Sequence, residues 1–150
     1  MLGSHLFSST GYAALMRDGF GWTRGQVYSE EAFQRVLFIE RKRAQRATSS
    51  FLLLLVRLRG DSGCIEIPPA IATPLFEGLR LCFREVDFVG WHREGRIAGA
   101  VLAQGRTAPD ADASTRVVAR VTDALATRLP SAVRQRLDVR VVRLGGGGSA

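Results

Sequence analysis

Apolar and polar positions in the first half of the chain follow two different periods, and each period predicts one kind of element. Ser29 stands before two glutamates and an apolar stripe at helical spacing that includes Phe33 and Val36, which predicts a helix capped by Ser29 and ending near Arg46. The next segment, residues 51–56, is a continuous apolar run between a serine pair and a Gly-Asp-Ser-Gly turn. A run of this length is typical of a central strand that is covered on both faces.

The middle of the chain predicts a second helix and a β-hairpin. A proline-rich segment that ends at Pro74 indicates a loop, after which apolar residues at helical spacing predict a helix over residues 75–84. Two apolar segments, residues 88–92 and 97–103, then flank a polar turn that contains Gly95. Because glycine readily adopts the positive φ that a tight turn needs, the segment predicts a hairpin with an exposed turn.

The last third of the chain predicts one more helix and one more strand. Asp110, Asp112 or Ser114 can provide the N-cap of this helix, and Pro130 ends it. Its apolar side is formed by Val117, Val121, Leu125 and Leu129. Alternating apolar positions over residues 137–141 predict a strand, and the glycine run that follows predicts a flexible tail or a linker.

The predicted order of elements is helix, strand, helix, hairpin, helix and strand, which is similar to the split βαβ layout of ferredoxin-like and palm-type domains. We therefore expect an α+β sandwich with an antiparallel sheet of about four to five strands and helices mainly on one face. The helix before the first strand is expected to pack beside that core or to contact a partner. The expected organisation is a loop-rich arm over residues 1–28, one domain over residues 29–144 and a flexible tail over residues 145–150.

The net charge is the feature of the composition that bears most on partners. The chain has a formal charge of +7, which favours anionic partners such as nucleotides, nucleic acid or a lipid surface. Lys42 is the only lysine, so a genome that prefers arginine codons explains the same charge equally well.

Neither the cysteines nor the apolar runs indicate a metal, a cofactor or a membrane span. Cys64 and Cys82 lack zinc-site spacing, and they are expected as small buried residues in a reducing compartment. The longest apolar run is too short to cross a bilayer, and the first residues do not resemble a signal peptide. The expected location is the cytoplasm.

A family resemblance centres on residues 84–87, Arg-Glu-Val-Asp, which are followed by two apolar residues and the hairpin. This segment resembles the part of GGDEF diguanylate cyclase domains, members of the nucleotidyl cyclase palm superfamily, in which an Arg-x-x-Asp motif precedes the signature turn. Phe33, residues 43–46 and the strand over residues 51–58 are similar to what precedes that motif in the family. The resemblance covers residues 27–144 in the order of elements.

The resemblance implies a ligand site before the hairpin. In the family the pair that corresponds to Arg84 and Asp87 binds cyclic di-GMP at an inhibitory site, and Arg80, one helical turn earlier, could extend it. Arginine can form paired hydrogen bonds with a phosphate or a guanine edge, and aspartate can accept hydrogen bonds from guanine. The alternative is structural: Arg84 pairs with Asp87 or caps the end of the helix.

Two departures from the family concern the carboxylates that hold the catalytic metal. Nucleotide cyclisation needs divalent metal ions held by carboxylates. The position of the Gly-Gly-Asp/Glu-Glu-Phe signature is occupied here by Arg93, Glu94, Gly95, Arg96 and Ile97. The first strand ends in Arg57, Leu58 and Arg59, where the family has a metal-binding aspartate, and Asp61 lies beyond Gly60. We therefore expect no catalytic residues, no metal site and no enzyme activity.

The functional expectation is a catalytically inactive GGDEF-like regulatory domain of bacterial signal transduction, acting as a cyclic di-GMP receptor or as an adaptor that docks onto a protein or a second copy. The alternative from another class is a ferredoxin-like nucleic-acid binder with an arginine-rich phosphate track. That track would consist of Arg41, Lys42, Arg43, Arg46 and the hairpin arginines. It is less favoured because the central strand lacks the exposed aromatic residues on which RNA bases stack.

Two aromatic residues of the first hairpin strand complete the candidates. Trp91 and His92 are adjacent and therefore point to opposite faces of the sheet. Trp91 is expected in the core or at an interface, and His92 is expected at the surface.

Overall fold

The computed structural model of the protein describes residues 27–83, 88–102 and 112–145. In chain order, its helices and strands are α1 Glu30–Ala47, β1 Ser50–Gly60, β2 Gly63–Ile65, α2 Pro69–Cys82, β3 Phe88–Arg93, β4 Ile97–Leu102, α3 Ala113–Ala126, α4 Ser131–Arg134 and β5 Leu137–Gly145. Most of the predicted arm, the Arg84–Asp87 segment and the end of the predicted tail lie outside the described residues. Along the described ranges, no helix is long and apolar enough to cross a membrane.

The sheet is built around β1, an antiparallel partner of three other strands. It pairs with β4 along one edge and with β5 along the other, and the short β2 continues the β4 edge beyond Arg57. Strand β3 pairs with β4. The resulting order β5-β1-β4-β3 with two helical crossovers is the split βαβ arrangement, so the predicted α+β palm-type fold is confirmed.

Alternate residues of β1 supply two separate hydrophobic cores, because successive side chains of a strand point to opposite faces. Leu52, Leu54, Val56 and Leu58 pack against α2 and α3 on one face. Phe51 and Leu53 pack against α1 on the other face. The continuous apolar run therefore forms a strand covered on both faces, as its sequence predicts.

Helix α1 covers the second face of the sheet, whereas the sequence predicted packing beside the core or against a partner. Ser29 is the N-cap, and its hydroxyl oxygen accepts a hydrogen bond from the Ala32 backbone nitrogen at 3.3 Å. Phe33 and Val36 of the apolar stripe are fully buried. The helix ends at Thr48, whose positive φ of 54° turns the chain toward β1. With α2 and α3 on the opposite face, the helices still lie mainly on one side.

The proline-rich segment is helical from Pro69 onward, so the predicted loop up to Pro74 was wrong. Pro69 occupies the first turn, where a backbone N–H has no helical partner, and its fixed φ suits the helix. Pro74 lies inside the helix and removes one hydrogen bond, a cost that the burial of Leu75, Phe76 and Leu79 offsets.

The rest of the chain follows the prediction with two additions. The hairpin consists of β3 and β4, with Gly95 at φ 73° in the turn. Helix α3 begins after Asp112, one of the three predicted N-caps. The sequence did not predict the three-residue β2 or the single turn of α4, and both are too short for a hydrophobic period to reveal them.

Gly90 provides a test of the fold because the backbone of Tyr28 forms a parallel bridge with it. Tyr28 bonds to β3 through Val89 and Trp91, and a Cβ at Gly90 would lie 2.6 Å from the Tyr28 carbonyl oxygen. Because backbone atoms cannot rotate away, we expect Gly90→Ala to lower the free energy of unfolding by about 1–3 kcal/mol. Urea unfolding monitored by circular dichroism measures it. As a control, Gly95→Asn should cost about 0.5 kcal/mol or less, because that position is open and asparagine tolerates positive φ. Equal losses in both variants would contradict the close approach.

Candidate functional site at the hairpin turn

The turn between β3 and β4 lies against the N-terminus of α1 and against the segment after β2. The Arg96 backbone nitrogen donates to the Arg93 carbonyl oxygen at 2.9 Å and closes the turn. The Gly95 carbonyl oxygen accepts from the Ile67 nitrogen at 2.7 Å. A segment distant in sequence therefore holds the hairpin turn in place.

Two glutamates connect this turn to α1 by reciprocal hydrogen bonds. The Glu94 carboxylate accepts from the Glu30 backbone nitrogen at 3.2 Å, and the Glu30 carboxylate accepts from the Glu94 backbone nitrogen at 2.7 Å. The first backbone N–H groups of a helix have no internal partner and carry partial positive charge, so a carboxylate there stabilises the helix. Glu94, the one acidic residue of the turn, thus serves as a cap for α1. We call this pair of hydrogen bonds the glutamate clasp.

Of the two arginines of the turn, one forms a hydrogen bond within the protein and the other faces solvent. The Arg96 guanidinium donates to the Cys64 carbonyl oxygen at 3.3 Å and so joins the turn to β2. Arg93 is exposed. Ile97, half-buried, is the first residue of β4 and pairs with Arg57 of β1.

The end of β1 carries an ion pair with β5. The Arg57 Nε donates to an Asp138 carboxylate oxygen at 2.7 Å, and the Arg140 Nε lies 3.3 Å from the same oxygen. The hydrogen bond from Arg57 is the largest effect and lowers the pKa of Asp138 below its usual value. Burial opposes it, and the charge of Arg140 adds to the lowering. Arg59 and Asp61 are exposed beyond this pair. Within the described ranges, no three Asp, Glu, His or Cys side chains lie together as a metal site requires.

Trp91 packs inward as predicted, whereas His92 is not a simple surface residue. The Trp91 ring meets Phe76 of α2 edge to face at 5.0 Å between centroids. His92 is half-buried on the opposite face, with its ring edge to face with Phe33 at 6.1 Å. Its Nδ1 is buried and has no hydrogen-bond partner among the residues that the structure describes. Burial first, and the charge of Arg93 second, lower the pKa of His92, while Glu30 partly opposes the shift.

The predicted ligand residues Arg84 and Asp87 lie outside the described residues, so their pairing and exposure stay predictions. Arg80 lies in the last turn of α2, is half-exposed, and has no hydrogen-bond or ion-pair partner among the described residues. Arg120 of α3 also reaches this helix end, because its guanidinium donates to the Cys82 carbonyl oxygen at 3.4 Å. Sequence reasoning missed Arg120, since only the packing of α3 on α2 brings it there.

Cys82 and Leu81 complete the end of α2. Burial raises the pKa of the Cys82 thiol, and the charge of Arg120 opposes that rise. Cys82 is half-buried, as is Cys64, whereas the sequence predicted both as buried. Leu81 is 68% exposed, one of the largest exposed apolar side chains in the described part of the chain.

The fold and the hairpin define an α+β palm-type domain, and comparison with known proteins agrees with that class. The structure is similar to the diguanylate cyclase SiaD in complex with its activator SiaC from Pseudomonas aeruginosa, with a TM-score of 0.56 and 19% sequence identity. The match covers 90% of this chain and 56% of SiaD, so the chain spans little more than half of that protein. No family model and no curated protein matches the chain. At this identity the likeness shows the fold.

The glutamate clasp predicts a measurable loss of stability. Glu94→Ala leaves the Ser29 cap but removes the carboxylate that accepts from the Glu30 nitrogen, and it should lower the free energy of unfolding by about 1 kcal/mol, within the usual range for N-terminal caps. Glu94→Gln should cost less, because the amide oxygen still accepts. Glu31→Ala is the matched control in the same helical turn, because its carboxylate only forms an exposed ion pair with Arg35, and it should cost about 0.5 kcal/mol or less. If Glu94→Ala costs no more than Glu31→Ala, Glu94 is not a cap.

His92 predicts a pH dependence of stability. Since its pKa in the folded chain lies below the ordinary 6.5, the unfolded chain binds more protons as the pH falls below that value. The contribution of neutral His92 to the free energy of unfolding is therefore complete above pH 6.5. It is lost as the pH decreases through the pKa of His92 in the folded chain. Urea unfolding of the wild type and of His92→Phe between about pH 7.5 and 5 tests this, because the variant lacks the titration but keeps an aromatic ring. If the free energy of unfolding changed with pH equally in the two proteins, His92 would have the same pKa in the folded and the unfolded chain.

Proposed function

We propose that this protein is a catalytically inactive GGDEF-like regulatory domain of bacterial signal transduction, located in the cytoplasm. The observation that supports it most is the glutamate clasp, in which the one carboxylate of the signature turn binds the N-terminus of a helix. A metal ion at this turn would have to displace that hydrogen bond beside two guanidinium groups, Arg93 and Arg96.

The end of β1 supports the same interpretation. A cyclase needs a second carboxylate there to bridge the metal and the nucleotide phosphates. Arg57 and its ion pair with Asp138 and Arg140 provide two positive charges and one negative charge instead. This surface would repel a divalent cation.

The first version of the proposal is a cyclic di-GMP receptor. Arg84 and Asp87 would bind the phosphates and the guanine edge, as the family resemblance implies. Arg80 supports this version, because it is half-exposed and lies one helical turn before the motif. Arg120 contributes a further positive charge at the same helix end.

The second version is an adaptor that docks onto a protein. Leu81 supports it, because a large apolar side chain that is 68% exposed at a helix end is a favourable anchor for a partner. SiaD, the similar structure, is itself found with a protein activator. The two versions share the end of α2 and differ in whether a nucleotide is required.

Calorimetry with cyclic di-GMP separates the two versions. In the receptor version, wild type binds saturably, and Arg84→Ala weakens binding by about 10-fold to 100-fold, the usual effect of removing a charged hydrogen bond. Arg80→Ala should weaken it less. Arg46→Ala is the matched control, an exposed arginine near the C-terminal end of α1, and should leave the affinity unchanged. Saturable binding that Arg84→Ala leaves intact would contradict the site, and no binding to wild type would leave the docking version.

Incubation with GTP and Mg²⁺ or Mn²⁺ tests the inactivity directly. We expect no cyclic di-GMP by chromatography even at high protein concentration, because the turn and the end of β1 lack the carboxylates. An active diguanylate cyclase in the same buffer is the control. Product that forms with the wild type and disappears in Glu94→Gln would contradict the proposal.

The nucleic-acid alternative receives less support from the described residues. Both faces of β1 are covered by helices, so bases could not stack on this central strand. Arg43 of the arginine-rich track forms an ion pair with the buried Glu40 at 2.9 Å, which neutralises part of that track.

A further inference from the structure

Strand β5 has nine residues and lies at an edge of the sheet. One side of its backbone pairs with β1. The Arg59 backbone nitrogen donates to the Arg136 carbonyl oxygen at 2.8 Å, which fixes the phase of the antiparallel ladder. In such a ladder, residues point their N–H and C=O groups alternately toward and away from the partner strand. Leu137, Val139 and Val141 therefore direct these groups away from β1, and β2 and β4 both lie on the other edge of β1. Within the described residues, this edge is open.

We propose that β5 pairs with β5 of a second copy of this chain, antiparallel and about a two-fold axis at Val139. Val139 then lies opposite Val139 of the second copy, and Leu137 lies opposite Val141. All three residues present outward N–H and C=O groups, so each of these pairs can exchange two backbone hydrogen bonds. An unprotected edge strand of this length is a ready template for such pairing.

Charge complementarity favours this register over its neighbours. It places Asp138 opposite Arg140 of the second copy, and the symmetry forms this pair twice. A shift of the axis to residue 138 would place Asp138 opposite Asp138, and a shift to residue 140 would place Arg140 opposite Arg140. Residues 138 and 140 would form non-hydrogen-bonded pairs across the two copies, and in such pairs opposite side chains lie closest. The Arg140 side chain is 64% exposed and is available for the contact.

A groove beside β5 offers space for the apolar side of the second strand. It has a volume of about 600 Å³ and is lined by Val118, Thr122 and Ala126 of α3, Arg134 of α4, and Leu137 and Val139 of β5. The two-fold axis is perpendicular to the sheet, so the second copy presents its own Leu137, Val139 and Val141 on this same face. One sheet then continues through both copies, with an α3 helix from each on the same side.

Light scattering after size-exclusion chromatography tests the dimer, with protein from about 10 µM to 1 mM. We expect a mass that rises toward twice the 16.4 kDa of one chain. Arg140→Glu should weaken the dimer by about tenfold or more, because it places two acids opposite each other. Asp138→Lys should weaken it as well. An equal mixture of the two variants should form a heterodimer, because the introduced glutamate then faces the introduced lysine, and the remaining Asp138 faces the remaining Arg140.

Hydrogen exchange identifies the strand and the register. The amides of Leu137, Val139 and Val141 should become protected as the concentration rises, while those of neighbouring even-numbered residues stay unchanged. Val139→Pro removes an outward N–H and should abolish the dimer, with circular dichroism as the check on folding. A wild type that stays monomeric at 1 mM would overturn the inference. So would a dimer that Arg140→Glu leaves intact, and neither result bears on the proposed regulatory function.

Discussion

The two-sided burial of β1 is the constraint on which the rest of the structure depends. One strand of eleven residues supplies alternate side chains to both cores and pairs along both edges. Helix α1 packs on one face because Phe51 and Leu53 must be buried there. Helices α2 and α3 pack on the other face because its apolar side chains must also be buried. Strands β4 and β5 occupy the two edges of β1, and β3 pairs with the far edge of β4. Strands β5 and β3 are therefore the outer strands of this order.

This arrangement also decides what the hairpin turn does. Helix α1 crosses its face of the sheet so that its first turn meets the β3–β4 turn, and Glu30 and Glu94 exchange hydrogen bonds there. This corner therefore supports the helix that closes one core.

The sequence predicted the elements in which a hydrophobic period extends over many residues. It did not predict features that depend on contacts between residues distant in the chain. Residues 51–56 and the stripe around Phe33 follow from periodicity alone, because burial on a fixed face imposes it. Pro74 misled the prediction of α2, since tertiary burial of Leu75 and Leu79 outweighs the lost hydrogen bond. The absence of a catalytic metal site at residues 57–61 and 93–97 stays a prediction from the sequence. That Glu94 caps α1 was not readable, because the capped nitrogen lies 64 residues earlier in the chain.

The central proposal is that the corner formed by the hairpin turn and the end of β1 does not bind metal and nucleotide. Paramagnetic broadening by Mn²⁺ in the presence of GTP measures this most directly, because amide signals near a bound ion disappear at substoichiometric metal. The account predicts that the amides of Glu30, Glu94 and residues 57–61 keep their intensity and that the Glu30 signal shifts in Glu94→Gln. Selective, saturable loss of those signals at low Mn²⁺ would contradict it.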